Sequence, residues 1–142
     1  MSELYKLLQF ADFGDERGKL VVIEGNDLRG VPFDIRRVFY IYESDRTVVR
    51  GQHANRNSEF VLVNVAGSSK VMITDGIKKE MVELNKPMEA IYIPRMIWKE
   101  MYDFSPDSVL LVLANTHYDS HEYIRNYEEY LKEMGVLGGK KE

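Results

Sequence analysis

The sequence predicts a small all-β domain built as an antiparallel sandwich or barrel. Apolar runs of about four to eight residues, rich in Val, Ile, Tyr and Phe, recur along most of the chain. Turn residues separate these runs, and no helical pattern lies between them. A helical spacing of apolar residues occurs only near the carboxyl end.

The predicted strands follow one another from residue 19 onwards. They are KLVVIEG (19–25), RRVFYIYE (36–43), SEFVLVNVAG (58–67), SKVMITDG (69–76), KKEMVELN (78–85), EAIYIP (89–94) and SVLLVLAN (108–115). Asp75-Gly76 is a strong signal for a hairpin between the fourth and fifth runs. The third and seventh runs are almost continuously apolar, which indicates central strands or strands that a partner subunit buries.

The carboxyl end predicts one helix over about residues 120–134. Three tyrosines and a leucine in DSHEYIRNYEEYLKEMG recur at helical spacing, namely Tyr123, Tyr127, Tyr130 and Leu131. Ser120 is the expected N-cap, and Gly135 is expected to end the helix.

Length and composition indicate a single soluble domain over residues 1–142, with a β core at about 10–118. The chain has 142 residues, of which 30% are charged and 44% hydrophobic. A net charge of -4 without a basic tail argues against a nucleic-acid partner. The absence of cysteine excludes disulfides, thiolate metal sites and cysteine nucleophiles.

The amino terminus indicates a cytoplasmic protein. It lacks the apolar core of a signal peptide. No apolar run approaches the ~18 residues that a bilayer span requires, so no membrane partner is expected.

His53 is the first candidate for chemistry, and two interpretations of it remain open. It lies in RGQHANRNSE (50–59), which we predict to be a turn between two strands. It is either a solvated loop residue or a general base. Arg50 and Arg56 would lower its pKa if they lie close, and a base needs a neutral imidazole near pH 7.

Basic and aromatic residues are the second group of candidates. Arg17, Arg37 and Arg50 lie at strand starts or turns, and Lys19 and Lys99 could join them around one anion site. The alternative is scattered surface charge balanced by 23 acidic residues. A tyrosine hydroxyl in a pocket, such as that of Tyr40, can donate to an enolate oxygen. The only Trp, at position 98, fits packing better than function.

Five blocks follow one another along the chain: ERGKLVVIEG, VPFDIRRVFYIYE, RGQHANRNSEFVLVNVAGSSKVMITDG, IPRMIWKEMYDFSPDSVLLVLAN and YDSHEYIRNYEEY. Taken in this order, they resemble the nucleotide-sugar 3,4-ketoisomerases, small cupins that act on dTDP-4-keto-6-deoxyglucose. The resemblance runs from about residue 10 to residue 130. It implies a double-stranded β-helix (cupin jelly roll) with a short C-terminal helix. It also implies a homodimer with exchanged N-terminal strands, and no metal or other cofactor.

The resemblance implies an isomerase that moves the keto group of the sugar from C4 to C3. A base removes the C3 proton, an enediolate forms, and a proton is returned to C4. The product would supply an aminotransferase that makes 3-amino-3,6-dideoxy sugars for lipopolysaccharide and other surface polysaccharides.

The resemblance also assigns roles to five residues. His53 matches the first histidine of the family motif RGxHAH, which implies the base. Tyr40 matches the tyrosine that ends RRVYY, and Arg17 matches the arginine of an RG pair near the amino terminus. Arg37 and Arg50 would hold the diphosphate or shape the pocket floor. The expected catalytic residues are therefore His53 and Tyr40. With the basic candidates and the two positions that depart from the family, the expected substrate-binding residues are Arg17, Lys19, Arg37, Arg50, Asn55 and Lys99.

The chain departs from the family pattern at two positions. Asn55 stands where the family has a second histidine, and Lys99 replaces the histidine of WHEM. An amide cannot exchange a proton at neutral pH. Lys99 with a pKa lowered by burial, Tyr40 or a bound water would have to replace the missing group.

Metal chemistry is the least favoured alternative. Metal-binding cupins use a His-x-His pair, a downstream Glu and a distant His, of which this chain offers His53 and Glu59 alone. Two further alternatives stay open: a non-catalytic cupin that binds a nucleotide sugar, and an epimerase acting at C3 or C5 of a dTDP-4-keto sugar.

Overall fold

The computed structural model describes residues 3–136, which form two antiparallel sheets of five strands each. The strands in chain order are β1 (Lys6–Gln9), β2 (Arg37–Tyr42), β3 (Arg50–Asn55), β4 (Phe60–Ala66), β5 (Ser69–Thr74), β6 (Lys79–Leu84), β7 (Glu89–Ile93), β8 (Trp98–Tyr102), β9 (Val109–Ala114) and β10 (Tyr123–Ile124). The predicted domain also included residues 1–2 and 137–142, which lie outside the described residues.

The two sheets confirm the predicted all-β jelly roll with a short C-terminal helix. One sheet has the order β1-β7-β4-β9-β2, and the other has the order β10-β3-β8-β5-β6. The Asp75-Gly76 hairpin is confirmed, because β5 pairs with β6 in register from Thr74↔Lys79 to Ser69↔Leu84. Among residues 3–136, no helix is long and apolar enough to cross a bilayer.

Strands β4 and β9 are central, as their continuous apolar sequences predicted. Phe60 and Leu62 of β4 face the core between the sheets. Their neighbours Val61 and Val63 face a second core, which Phe10 and other residues of the amino-terminal segment cover. Because both faces are covered, these strands are almost continuously apolar.

Six of the seven predicted strands are confirmed, and the prediction for residues 19–25 is wrong. Apart from one isolated bridge between Asp12 and Val21, that segment makes no ladder within the described part of the chain. Its residues alternate in exposure without a neighbouring strand to pair with. Local β propensity is therefore not sufficient there.

Four strands were not predicted, and one of them corrects the position of His53. Residues 50–55 are strand β3 rather than a turn, and they pair with β8 and β10. Gly, Gln and Asn in this segment weaken its β propensity. Pairing with strands distant in sequence overrides that local preference.

The carboxyl-terminal helix is shorter than predicted and begins later. Helix α1 spans Tyr127–Glu133, and its N-cap is Asn126, whose side chain accepts from the backbone N–H of Glu129. Ser120 instead begins a 3₁₀ turn that leads into β10. Pairing of β10 with β3 holds this segment extended. Gly135, at φ 78°, follows the helix as expected.

Candidate active site

An open cavity of about 460 Å³ lies between the two sheets. Side chains from both sheets and from β10 line it. Four residues predicted for the site are among them, namely His53, Tyr40, Arg50 and Lys99. Its apolar walls include Phe60 and Leu62. The cavity combines a few polar groups with apolar walls, as small-molecule sites do.

Strands β3 and β8 place His53 and Lys99 opposite each other. The two residues are Cα partners in the ladder. Their chain neighbours Ala54 and Trp98 pack in the cluster beside α1. Since side chains alternate between the faces of a strand, His53 and Lys99 face the cavity.

A bulge in β3 sets the register at this point. The ladder shifts between Gly51 and His53, and both Gly51 and Gln52 have positive φ, at 85° and 58°. A Cβ at Gly51 would lie 2.9 Å from the carbonyl oxygen of Lys99. Glycine is therefore required for the close approach of the two strands, and the bulge orients the histidine that follows.

The local hydrogen bond of His53 defines its tautomer. Its Nδ1 lies 3.0 Å from the carbonyl oxygen of Gly51. A carbonyl oxygen only accepts, so the neutral ring carries its hydrogen on Nδ1. The lone pair is then on Nε2, which is the form that a general base requires.

Burial, with smaller contributions from the charges of Lys99 and Arg125, lowers the pKa of His53 to about 4. The hydrogen bond to Gly51 and the charge of Glu122 act in the opposite direction. The lowered pKa was expected, but its predicted cause was wrong. Arg56 is instead paired with Glu133 at 2.8 Å.

Lys99 is a buried amine with few partners. Its exposed fraction is 3%, and its Nζ donates to Asn55 Oδ1 at 3.3 Å. The Nζ also lies 4.5 Å from the centroid of the Phe60 ring. Burial lowers the pKa of Lys99 to about 7, although the charge of Glu122 opposes that shift.

Asn55 connects Lys99 to the buried carboxylate of Glu122. Its Nδ2 donates to Glu122 Oε2 at 2.8 Å. The backbone N–H groups of Asn57 and Ser58 donate to the other carboxylate oxygen at 2.7 and 2.9 Å. Burial alone would raise the pKa of Glu122, but the hydrogen bonds from Ser58, Asn57 and Asn55 outweigh it and leave that pKa lowered. Glu122 is thus a fixed anion behind Asn55.

Arg37 lies beside the cavity with unused donors. Its guanidinium carbon lies 5.6, 5.9 and 5.7 Å from the ring centroids of Phe39, Phe60 and Tyr118. Its Nε and Nη2 atoms are buried, and neither has a hydrogen-bond partner among the residues that the structure describes. Buried charged donors without acceptors are costly, so such atoms point to an anionic ligand.

Arg17 and Lys19 do not reach this cavity within the same chain. They line a separate surface depression with Phe13, Asp15 and Leu20. The side chain of Arg17 is 86% exposed, and its Nη2 lies 2.6 Å from Asp15 Oδ2.

Two residues of the site were missed at the sequence level. Glu122 lies behind Asn55, and the ring of Tyr123 packs edge-on against His53 at a centroid distance of 4.7 Å. Both were assigned to the predicted carboxyl-terminal helix. No local pattern reveals them, because β10 contacts β3 across about 70 residues of chain.

The part of the chain that the structure describes contains no cluster of three His, Cys, Asp or Glu side chains suited to a metal ion. Glu59, the second candidate ligand, accepts a hydrogen bond from Tyr92 Oη at 2.8 Å.

A family model and a curated relative assign the chain to the same family. The family model FdtA, described as WxcM-like, C-terminal, matches residues 3–135. A TDP-4-oxo-6-deoxy-alpha-D-glucose-3,4-oxoisomerase from Aneurinibacillus thermoaerophilus is 39% identical over 137 residues, which cover 96% of this chain and 97% of that protein.

Solved structures of similar sequence also superpose well. The sugar 3,4-ketoisomerase QdtA from Thermoanaerobacterium thermosaccharolyticum, in complex with TDP, gives a TM-score of 0.90 at 39% identity, with 95% of this chain and 97% of that chain covered. WlaRA, a TDP-fucose-3,4-ketoisomerase from Campylobacter jejuni, gives a TM-score of 0.81 at 43% identity, with 89% and 92% covered.

Proposed function

Because the chain belongs to the FdtA family, we propose that it is an isomerase that converts dTDP-4-keto-6-deoxy-D-glucose into a dTDP-3-keto-6-deoxy-hexose. The observation that carries this proposal is a histidine held neutral in a cavity, in a chain that aligns over almost its full length with a 3,4-oxoisomerase. The product is a suitable substrate for an aminotransferase that installs an amino group at C3.

His53 is the proposed base of the first step. The C4 ketone acidifies the proton on C3, and the Nε2 lone pair of His53 removes it. With a pKa of about 4, the imidazole is neutral at pH 7 and available to accept a proton. The pair of electrons from the C3–H bond forms the C3=C4 double bond, and the ketone becomes an enediolate with its charge on O4.

The enediolate needs donors placed where its charge develops. Lys99 lines the cavity from the same sheet as His53, and Tyr40 lines it from β2 of the other sheet. A cation in a buried, low-dielectric site stabilises an adjacent oxyanion more strongly than it would in water.

Arg37 and Arg50 are the proposed partners of the diphosphate. Arg50 lines the cavity, and Arg37 stands beside it with two buried donor atoms. An arginine fork matches the geometry of phosphate oxygens. Asn55 is proposed to shape the site by holding Lys99 rather than by exchanging protons.

A homodimer with exchanged N-terminal strands is the proposed assembly. Strand β2 lies at a sheet edge and exposes Val38, Tyr40 and Tyr42. Phe13 and Leu20 of the amino-terminal segment are also exposed. Exchange of that segment would cover these residues and could bring Arg17 and Lys19 of one chain to the sugar pocket of the other. Light scattering coupled to gel filtration tests this proposal, and a monomer at micromolar concentration would refute it.

The activity is tested by incubating the protein with dTDP-4-keto-6-deoxyglucose in D₂O and following the sugar by NMR. A 3-keto product with deuterium at C4 supports the isomerase. Deuterium at C3 or C5 with inverted configuration at that carbon, and no 3-keto product, would indicate an epimerase. Binding without any exchange would indicate a non-catalytic cupin. A repeat after dialysis against a chelator tests the proposed independence from metals.

A further inference from the structure

The isomerisation needs a proton at C4 after one has left C3. Asn55, which stands where the family has a second histidine, cannot supply it. Its Nδ2 donates to Glu122 Oε2, and its Oδ1 accepts from Lys99. A carboxylate accepts and an ammonium donates, so these two partners fix the amide in one orientation. Asn55 is therefore a positioning residue.

We propose that Lys99 is the second acid–base group of the reaction, delivering to C4 the proton that completes the isomerisation begun by His53. This inference rests on the proposed function. It adds to that function a catalytic amine that contacts the reacting carbon atoms.

The position of Lys99 is the main support. It is the direct cross-strand partner of His53, and both side chains line the same cavity. Directly opposite residues in an antiparallel pair have Cβ atoms about 4.5 to 5.5 Å apart. Since C3 and C4 are bonded to each other, the side chains of His53 and Lys99 can reach adjacent carbons of one sugar ring.

Among the described residues, Lys99 lacks the carboxylate partner that a structural buried lysine would have. A buried lysine is normally paired with a carboxylate. Among residues 3–136, the only hydrogen bond of its Nζ is the one to the neutral amide of Asn55. Its Nζ also makes a cation–π contact with the ring face of Phe60, which lines the cavity. The Lys99 ammonium therefore keeps N–H groups that can donate to a substrate.

The other candidates fit less well. Both carboxylate oxygens of Glu122 already accept hydrogen bonds from residues 55–58. Arg50 does not release a proton near neutral pH. Tyr40 is 60% exposed and so lacks the buried environment that would tune its hydroxyl. Lys99, by contrast, has a pKa lowered by burial to about 7, so that it can both release and recover a proton at neutral pH.

The step balances as follows. After His53 has taken the C3 proton, the ammonium of Lys99 gives a proton to C4, and a new C4–H bond forms with the electrons of the C3=C4 double bond. The lone pair of O3 forms the C3=O bond, and the hydroxyl proton of O3 moves to O4. Lys99 is left neutral and His53 protonated. Return of that proton through solvent restores both groups.

The test separates the two proton transfers. In D₂O, we expect Lys99→Met to keep exchange at C3 of the 4-keto sugar, because His53 still removes and returns that proton. We expect formation of the 3-keto product to fall by roughly 100-fold or more, the usual contribution of a general acid. Lys70→Met, which removes a surface lysine paired with Asp103, should behave as wild type.

Chemical rescue provides a second test that does not depend on one substitution. The chain has no cysteine, so Lys99→Cys can be aminoethylated at this position alone, if necessary in the unfolded state before refolding. Restoring the amine should recover most of the lost product formation. Lys99→Arg, which keeps the charge but cannot release a proton, should remain inactive.

The outcomes distinguish the two proposals. If wild-type protein neither exchanges C3 nor forms a 3-keto product, the proposed function fails. If wild type isomerises and Lys99→Met or Lys99→Arg does so within about tenfold, the role of Lys99 is refuted while the isomerase stands. Failure of the aminoethylated and refolded protein to regain activity would also count against Lys99.

Discussion

His53 and Lys99 are cross-strand partners on β3 and β8, and both side chains line one cavity. Burial lowers the pKa of each, to about 4 for the imidazole and about 7 for the amine. At pH 6 the pair therefore consists of a neutral base beside a charged acid. That combination suits a reaction which removes a proton from one carbon and adds one to its neighbour.

Replacing His53 should abolish both proton transfers. We expect His53→Gln to reduce deuterium exchange at C3 and formation of the 3-keto sugar together, by about 100-fold or more, because no other base begins the reaction. NMR in D₂O measures both. His121→Gln is the matched control, since the side chain of His121 is 95% exposed. Full exchange at C3 in His53→Gln would exclude His53 as the base.

The pH–rate profile of the isomerisation should be bell-shaped. Activity rises as His53 loses its proton near pH 4, and it falls as Lys99 loses its proton near pH 7. Lys99 faces Glu122, which favours the charged amine, and it shares the cavity with Arg50. The profile of kcat/KM reports these groups in the free enzyme. A rate that stays level from pH 6 to pH 9 would contradict the acid role of Lys99.

The buried Lys99 should lower the free energy of unfolding, although the proposed reaction requires it. Its pKa is lowered from 10.5 to about 7, so between these values the unfolded chain binds more protons and stability increases with pH. Below pH 7 the full penalty applies, roughly 4 to 5 kcal/mol. Loss of the donor to Asn55 offsets part of this, so we expect Lys99→Met to gain about 2 to 3 kcal/mol at pH 6.

Urea unfolding at pH 6 and at pH 9.5 measures this effect, and the gain should be smaller at the higher pH. Lys70→Met again serves as the control, because hydrogen bonding to Asp103 raises the pKa of Lys70 instead of lowering it. A Lys99→Met protein that is less stable than wild type at pH 6 would show that the amine is well accommodated in the fold.

Arg37 should contribute to binding the nucleotide. We expect Arg37→Met to weaken the binding of dTDP by about 10-fold or more, because the diphosphate oxygens lose the buried Nε and Nη2 donors. Arg36→Met is a close control, as the adjacent Arg36 is exposed and paired with Asp34 at 3.1 Å. Calorimetric titration with dTDP measures both. Equal affinities for the two variants would place the diphosphate elsewhere.

Most of the fold could be predicted from local pattern, and the exceptions share a physical cause. The confirmed strands have apolar faces that pack against one of two cores. Strands β3 and β8 carry His53 and Lys99 into the cavity, with Asn55 behind Lys99, so their sequences lack a regular apolar face. A strand that builds a polar site departs from the pattern by which strands are recognised.

The sequence by itself determined the all-β class, the central position of β4 and β9, and the candidacy of His53, Asn55 and Lys99. The tertiary structure alone placed Lys99 opposite His53, buried Lys99 fully and His53 partly, and brought the carboxylate of Glu122 to Asn55 across 67 positions of chain. Desolvation and proximity set the pKa values of these groups. Desolvation and proximity arise only when strands distant in sequence pair. Residue identity could therefore predict the candidate residues of the site but not their chemical roles.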